Sequence, residues 1–371
     1  MALHHLTRAA RSREACCRET HSKAARSGEA GFTVVELSVA MALSLVLLTG
    51  LTSIFVNNVE ARGNIEKANR QTENGRYALQ LLSDELRNAG YLAALDPAPL
   101  ATPASKPDPC ATDLASLKAA LPISVQGYDN GANTPSCLSD VRPGTDILVV
   151  RRASTCAVGE TRCDALVAGA RYLQASGCSS STELSSSNSA DYYRLDTTVA
   201  NLDRHKRDCN PPSVAGTLAP LHQYRTHIYF VANNDRTGDG IPTLKRAELG
   251  PSGFTIVPMV EGIENLQIEY GLDTATPKTG APAVFTAAPD SYATCTGATC
   301  VGYWRNTVSA KVMLLARNTT VSAGHTDTKL YSVGARADGT ANTLGPFNDA
   351  YKRHIYASMV RLNNPAGRNT P

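Results

Sequence analysis

Hydrophobic and polar positions follow two different regimes along this chain, and the change falls near residue 90. From Leu37 to Val56, twenty successive residues carry no charge. At about 1.5 Å rise per residue, a helix of that length reaches about 30 Å, the thickness of the bilayer hydrocarbon. The pattern predicts one membrane-spanning helix, and no second run is long enough to span. Beyond Val56 the apolar positions thin to a stripe. Ile65, Thr72, Leu79 and Leu86 recur every seven residues, with Ala68, Gly75, Leu82 and Ala89 between them. Glu66, Lys67, Arg70, Glu73, Arg76, Asp84 and Arg87 fall mostly on other faces. This predicts an amphipathic continuation of the same helix, stopped by Gly90 with Pro97 beyond it. Gly50 and Gly63 are its weakest points. The small residues in the stripe favour packing on the chain's own sheet over a coiled-coil seam.

After Gly90 the pattern becomes that of strands. Residues 96–110, rich in Pro and Ala, read as a loop, and a short helix is predicted over 111–120. Strand-like runs follow at Asp146–Arg151, Tyr192–Leu195, Tyr224–Val231, Phe254–Val260, Leu266–Tyr270, Val308–Leu315 and Ile355–Leu362. Several are bounded by Gly, Pro or Asn clusters, as antiparallel sheets require. The Ser-rich tract Ser179–Ser189 reads as a mobile loop. The expected class is α+β: a long N-terminal helix, membrane-embedded in its first half, packed on an antiparallel β-sheet head with disulfides.

Charge and cysteine placement sharpen this picture. Six of the 36 basic and three of the 33 acidic residues lie in the first 31 positions, leaving 30 of each in the remainder. The basic ones are Arg8, Arg11, Arg13, Arg18, Lys23 and Arg26, which bias the N-terminus to the cytoplasm. A neutral remainder argues against a dedicated nucleic-acid surface. Cys16 and Cys17 precede the apolar run; Cys110, Cys137, Cys156, Cys163, Cys178, Cys209, Cys295 and Cys300 follow it. An even number confined to the far side of a membrane segment predicts disulfides in an oxidising compartment. Pairing of sequence neighbours is the expected scheme, and a zinc site is the rival, although no Cys-x-x-Cys pair occurs.

Chemistry is otherwise sparse. No nucleophile elbow, zincin motif or phosphate loop occurs, so the chain holds no catalytic constellation and calls for no cofactor. His222 and His227, five apart near a predicted strand, point to opposite faces and read as ordinary polar or half-buried residues. Asn233–Gly240, NNDRTGDG, gathers oxygen ligands and turn glycines, and Asn233, Asp235 and Asp239 are candidate calcium ligands. A hairpin turn explains the same letters, and neither possible twelve-residue loop register ends on the required Glu.

Glu36 is a lone acid at the mouth of the apolar run, where a carboxylate costs about 2.5–3.5 kcal/mol unless partnered. It also stands where an acid favours the start of a helix. An ordinary secretory signal is cut after its apolar region, which is then discarded. Residues 31–37, GFTVVEL, instead resemble the type IV prepilin signal, which is cut before that region. The resemblance implies cleavage between Gly31 and Phe32, methylation of the new Phe32 amine, and a role for Glu36 in methylation and in docking to a neighbour's N-terminus. Three further passages resemble the PilW-type minor pilins: NGRYALQLLSDELRNAGY at Asn74–Tyr91, VEGIENLQIEYGL at Val260–Leu272, and YKRHIYASMVRLNN at Tyr351–Asn364.

The implied organisation is a leader at 1–31, a transmembrane assembly segment at 32–56, an amphipathic half-helix at 57–90 and a globular head at 91–371. The implied function is priming of type IV pilus assembly, at the pilus tip. The implied location is the inner membrane with a periplasmic head, and then the pilus. Implied partners are other minor pilins, the major pilin, a prepilin peptidase, the inner-membrane assembly platform and a tip adhesin. Two readings stand beside it: a minor pseudopilin of a type II secretion system, and a membrane-anchored periplasmic binding module.

Overall fold

The computed structural model describes residues 31–131, 133–210 and 216–369. The basic residues Arg8 to Arg26, and Cys16 and Cys17, lie outside the described residues. The chain divides into two compact units, Met1–Glu60 and Ala61–Pro371. In the first unit the described part is almost all helix, and it is apolar on every side.

Helix α1 runs unbroken over Val34–Asn88, 55 residues. Gly50 and Gly63 do not interrupt it. Within the second unit, Gly75, Ala78, Leu82, Leu86 and Ala89 are buried, spaced by three and four residues so that they share one face. Ile65 and Ala68, expected on the same stripe, are exposed, so the packed face begins only about two turns later. The helix ends as its glycine predicts. Gly90 adopts φ +70°, its N–H donates to the Arg151 carbonyl at 2.9 Å, and a Cβ there would strike the Ser124 side chain.

The head adds α2 (Leu114–Ala120) and a series of strands: β1 (Val125–Tyr128), β2 (Ile147–Ala153), β3 (Tyr172–Ala175), β4 (Tyr193–Asp196) and β5 (Leu221–Ala232). There follow β6 (Thr243–Gly250), β7 (Gly253–Glu261), β8 (Ile263–Leu272), β9 (Val284–Thr286) and helix α3 (Ala298–Arg305). The chain closes with β10 (Thr307–Arg317), β11 (Tyr331–Ala335), β12 (Ala341–Leu344), β13 (Arg353–Arg361) and α4 (Asn363–Arg368). All pairings among the described strands are antiparallel.

Seven strands, β1 to β7, form one sheet; β13-β10-β8-β9 form a second; β11 and β12 make a hairpin. The main core lies where α1 meets both sheets. Ala78, Leu82 and Leu86 share it with Leu148, Val150, Tyr229 and Val231 of the first sheet and Leu266, Ile268, Val312 and Leu314 of the second. Full burial of each Leu is worth about 1.5–3 kcal/mol. The opposite face of β5, with Ile228 and Phe230, packs under Leu138 and Val141. That two-sided burial explains why β5 reads as a continuous apolar run rather than an alternation. The outer face of β8 is polar and is covered by the hairpin: Asn342 Nδ2 donates to Gln267 Oε1 at 2.9 Å and the Ala335 N–H to Glu269 Oε1 at 2.8 Å.

Four disulfides join Cys110 to Cys137, Cys156 to Cys163, Cys178 to Cys209 and Cys295 to Cys300, with Cα separations of 5.0–5.6 Å. The sulfurs are thus bonded to each other rather than held as metal ligands. The Ser-rich tract is tied down instead of loose. Glu183 within it is buried, accepts from Ser176 Oγ and lies 2.5 Å from His205 Nδ1.

At Gly75 the helix touches β13 so closely that a Cβ would overlap the Tyr356 ring. Gly75→Ala should therefore destabilise the full chain in detergent by about 1–3 kcal/mol in urea unfolding, the usual range for overpacking. In a Tyr356→Ala background the same change should be neutral or stabilising by up to about 1 kcal/mol, from helix propensity alone.

Candidate assembly surface

The N-terminal end of α1 is built by four residues. Thr33 is the cap: its Oγ1 accepts from the Glu36 N–H at 3.2 Å. Glu36 Oε2 in turn accepts from the Thr33 N–H at 3.0 Å and from Thr33 Oγ1 at 2.9 Å. This reciprocal pair is a capping box, which satisfies orphan N–H groups of the first turn. Gly31 and Phe32 precede the cap, and Phe32 is 87% exposed. The structure therefore brings Glu36 together with Thr33, a residue the sequence reading passed over. The signal for it was legible as Thr-x-x-Glu directly ahead of an apolar run.

From Val34 to Val59 every residue of α1 is exposed. The helix is long and apolar enough to cross a membrane. A helix apolar on all sides cannot remain bare in water. It anchors in lipid or packs among other apolar helices.

Higher up, α1 carries an acid on its buried face. Glu85 Oε1 accepts from Arg152 Nε at 2.9 Å and lies 2.8 Å from His227 Nδ1; Oε2 accepts from Arg152 Nη2 at 3.2 Å. Arg152 comes from β2 and His227 from β5, so one carboxylate links the helix to two strands. His227 is buried among these groups, while His222 lies 2.7 Å from the Ser154 carbonyl. Burial alone would hold the Glu85 carboxyl above its ordinary value. The hydrogen bond and charge of His227, then those of Arg152, override it and draw the pKa from 4.5 down to about 2. An acid between Leu82 and Leu86 was the readable sign that this face had a charged partner.

A second buried cluster locks the head's C-terminal strand. Arg353 donates to Glu264 Oε2 at 2.5 Å, Asp327 Oδ2 at 2.9 Å and Asp349 Oδ1 at 2.7 Å, and stacks over Phe347 at 3.8 Å. Burial opposes its charge, but the bonds to Asp349, Glu264 and Asp327 outweigh that and raise its pKa further. Asp146 staples the two sheets, since its carboxyl accepts from the Asn130 N–H at 2.9 Å and from the Ile268 N–H of β8 at 2.8 Å. Burial is the main reason its pKa is pushed up to about 8, despite those two donors.

The proposed calcium ligands form a turn between β5 and β6. Asp239 accepts from the backbone of Asp235, Arg236 and Ile241 at 2.8–3.1 Å, and Asn233 Nδ2 donates to Asp140 Oδ1 at 3.1 Å. Asp239 is thereby spent on closing the hairpin, and no group of three or more metal-ligating side chains occurs among the described residues.

Residues 228–364 match the family model PilW, described as Type IV Pilus-assembly protein W. No curated protein and no solved structure matches the chain. The matched span runs from β5 into α4 and contains His227's neighbour Ile228, the Glu264–Arg353 cluster and all of the second sheet; α1 lies outside it. The match supports involvement in type IV pilus assembly.

Glu85 has a folded pKa below its unfolded one, so its stabilisation is full above about pH 4.5 and is lost as pH falls toward 2. Thermal unfolding followed from pH 6 to pH 2 should show that loss, and Glu85→Gln should flatten it. At pH 7, Glu85→Ala should cost about 3–5 kcal/mol, because it leaves buried His227 and half-buried Arg152 without their shared carboxylate.

Proposed function

The chain carries a PilW-type pilus-assembly region at residues 228–364, and on that premise we propose that it is a minor pilin that helps prime type IV pilus assembly. The observation that carries this reading is the coincidence of that region with a GFTVVEL start and an exposed, charge-free helix in one chain. In this reading a prepilin peptidase cuts between Gly31 and Phe32 and the new Phe32 amine is methylated. The helix is held once across the inner membrane, with the head in the periplasm. The chain acts by association and not by catalysis: Phe32–Val56 packs among the helices of other minor pilins and the major pilin, on the assembly platform. The head, too large for repeated packing along a thin shaft, suits the tip, where an adhesin would join it.

The oxidised head supports the extracytoplasmic placement, since four disulfides are at home in the periplasm and not in the cytosol. The matched family favours the pilus over a secretion-system pseudopilin.

Deletion of the gene should reduce surface pili and twitching. Gly31→Ala should leave the leader attached, and Glu36→Ala should allow cleavage but impair incorporation. Mass spectrometry of sheared pili should find a methylated Phe32 peptide; protein from cells that still begins upstream of residue 32 would overturn the reading.

A further inference from the structure

Strand β13 forms an open edge of the second sheet. It pairs with β10 through nine consecutive residue pairs, Arg353–Arg361 against Ser309–Arg317, without a register shift. Its other side meets no strand among the described residues. Edge strands are commonly blunted by proline, bulges or cover. The edge strand β7 shows such devices, with Pro258 inside it and a register shift against β6. β13, RHIYASMVR, has neither, and its Met359 is 64% exposed.

A groove of about 510 Å³ lies beside the first half of this strand, between α1 and the loop leading into β11. Its lining includes Arg76, Lys329, Lys352 and His354 together with Tyr356. Arg353 also lines it, but its charge is consumed by Glu264, Asp327 and Asp349. Arg76, Lys329 and Lys352 form no ion pair among the described residues, so the groove keeps an uncompensated positive rim.

We propose that the β13 edge and this groove receive an extended, acid-bearing segment of another protein, added to the sheet as an antiparallel or parallel strand. Main-chain bonds to β13 supply the affinity, and carboxylates beside Arg76, Lys329 and Lys352 supply the specificity. A parallel second copy of β13 fits poorly, because the exposed His354 and Arg361 would be brought against their own kind. The inference deepens the assembly reading and rests on it for the expectation that the occupant is a protein subunit.

Hydrogen–deuterium exchange of the full chain in detergent tests this. The probe is a blocked hexapeptide of alternating Glu and Val; its controls are the same peptide N-methylated at alternate residues, and the Lys/Val counterpart. At about ten times its dissociation constant, the acidic peptide should slow exchange within 353–361 about tenfold. Neither control should do so, and a double variant with Arg76→Glu and Lys329→Glu, distant from the buried core, should lose the effect. The proposal is overturned if β13 amides are unaffected, or if the N-methylated peptide protects equally, which would mean an anion groove without strand addition. Protection that appears without peptide and rises with protein concentration would assign the edge to self-pairing and overturn it as well. Peptide binding is measured without pili, so its failure and a failure of the pilus phenotype are separate results.

Discussion

Contact of one helical face with two sheets at once is the constraint on which the head depends. Ala78, Leu82 and Leu86 lie at zero exposure between the inner faces of both sheets. Without that face, the first sheet would bare Leu148, Val150 and Tyr229, and the second Ile268, Val312 and Leu314. The polar devices work on top of this contact. Glu85 fixes the helix to β2 and β5, Asp146 ties the β2 entrance to β8, and Arg353 binds the last strand to the loops around it. Glu85 and Arg353 are matched by partners of opposite charge, as a low-dielectric interior demands.

The helix was the most legible element because its signal is long and because two periodicities meet in it. A charge-free run sets its first half, and small and large apolar residues at spacings of three and four set its second. The lower part of the stripe misleads, since Ile65 and Ala68 have the right spacing but stay exposed. Strands β5 and β10 show themselves as apolar runs buried from both sides, and β8 as Leu266, Ile268 and Tyr270 alternating with polar residues. Strand β6 hides because Lys245, Arg246 and Glu248 stand among its apolar residues, and β11 and β12 because their task is to cover polar positions such as Gln267 and Glu269.

The candidate assembly surface was only partly legible. The GFTVVEL start names Gly31, Phe32 and Glu36, but a pattern of types does not say what the acid touches, and Thr33 supplies that. His227 reads as unremarkable along the chain. Its partner Glu85 is 142 positions away, and no local pattern joins residues so distant. The NNDRTGDG segment carries two readings along the chain, because ligand-type oxygens and turn-type oxygens are the same atoms. The turn use is seen in the backbone N–H groups of Asp235, Arg236 and Ile241, which donate to Asp239.

The reciprocal bond between Thr33 and Glu36 bears on how a subunit waits. Both recorded contacts of the carboxylate fall on Oε2, which leaves Oε1 free to accept a donor from elsewhere. On the proposed reading, a lone subunit stored in the bilayer carries its own local partner for the acid and is not forced into premature association. When a neighbour's amine arrives it can take the vacant oxygen without first breaking the cap, so recruitment begins from a helix already fully wound at its end.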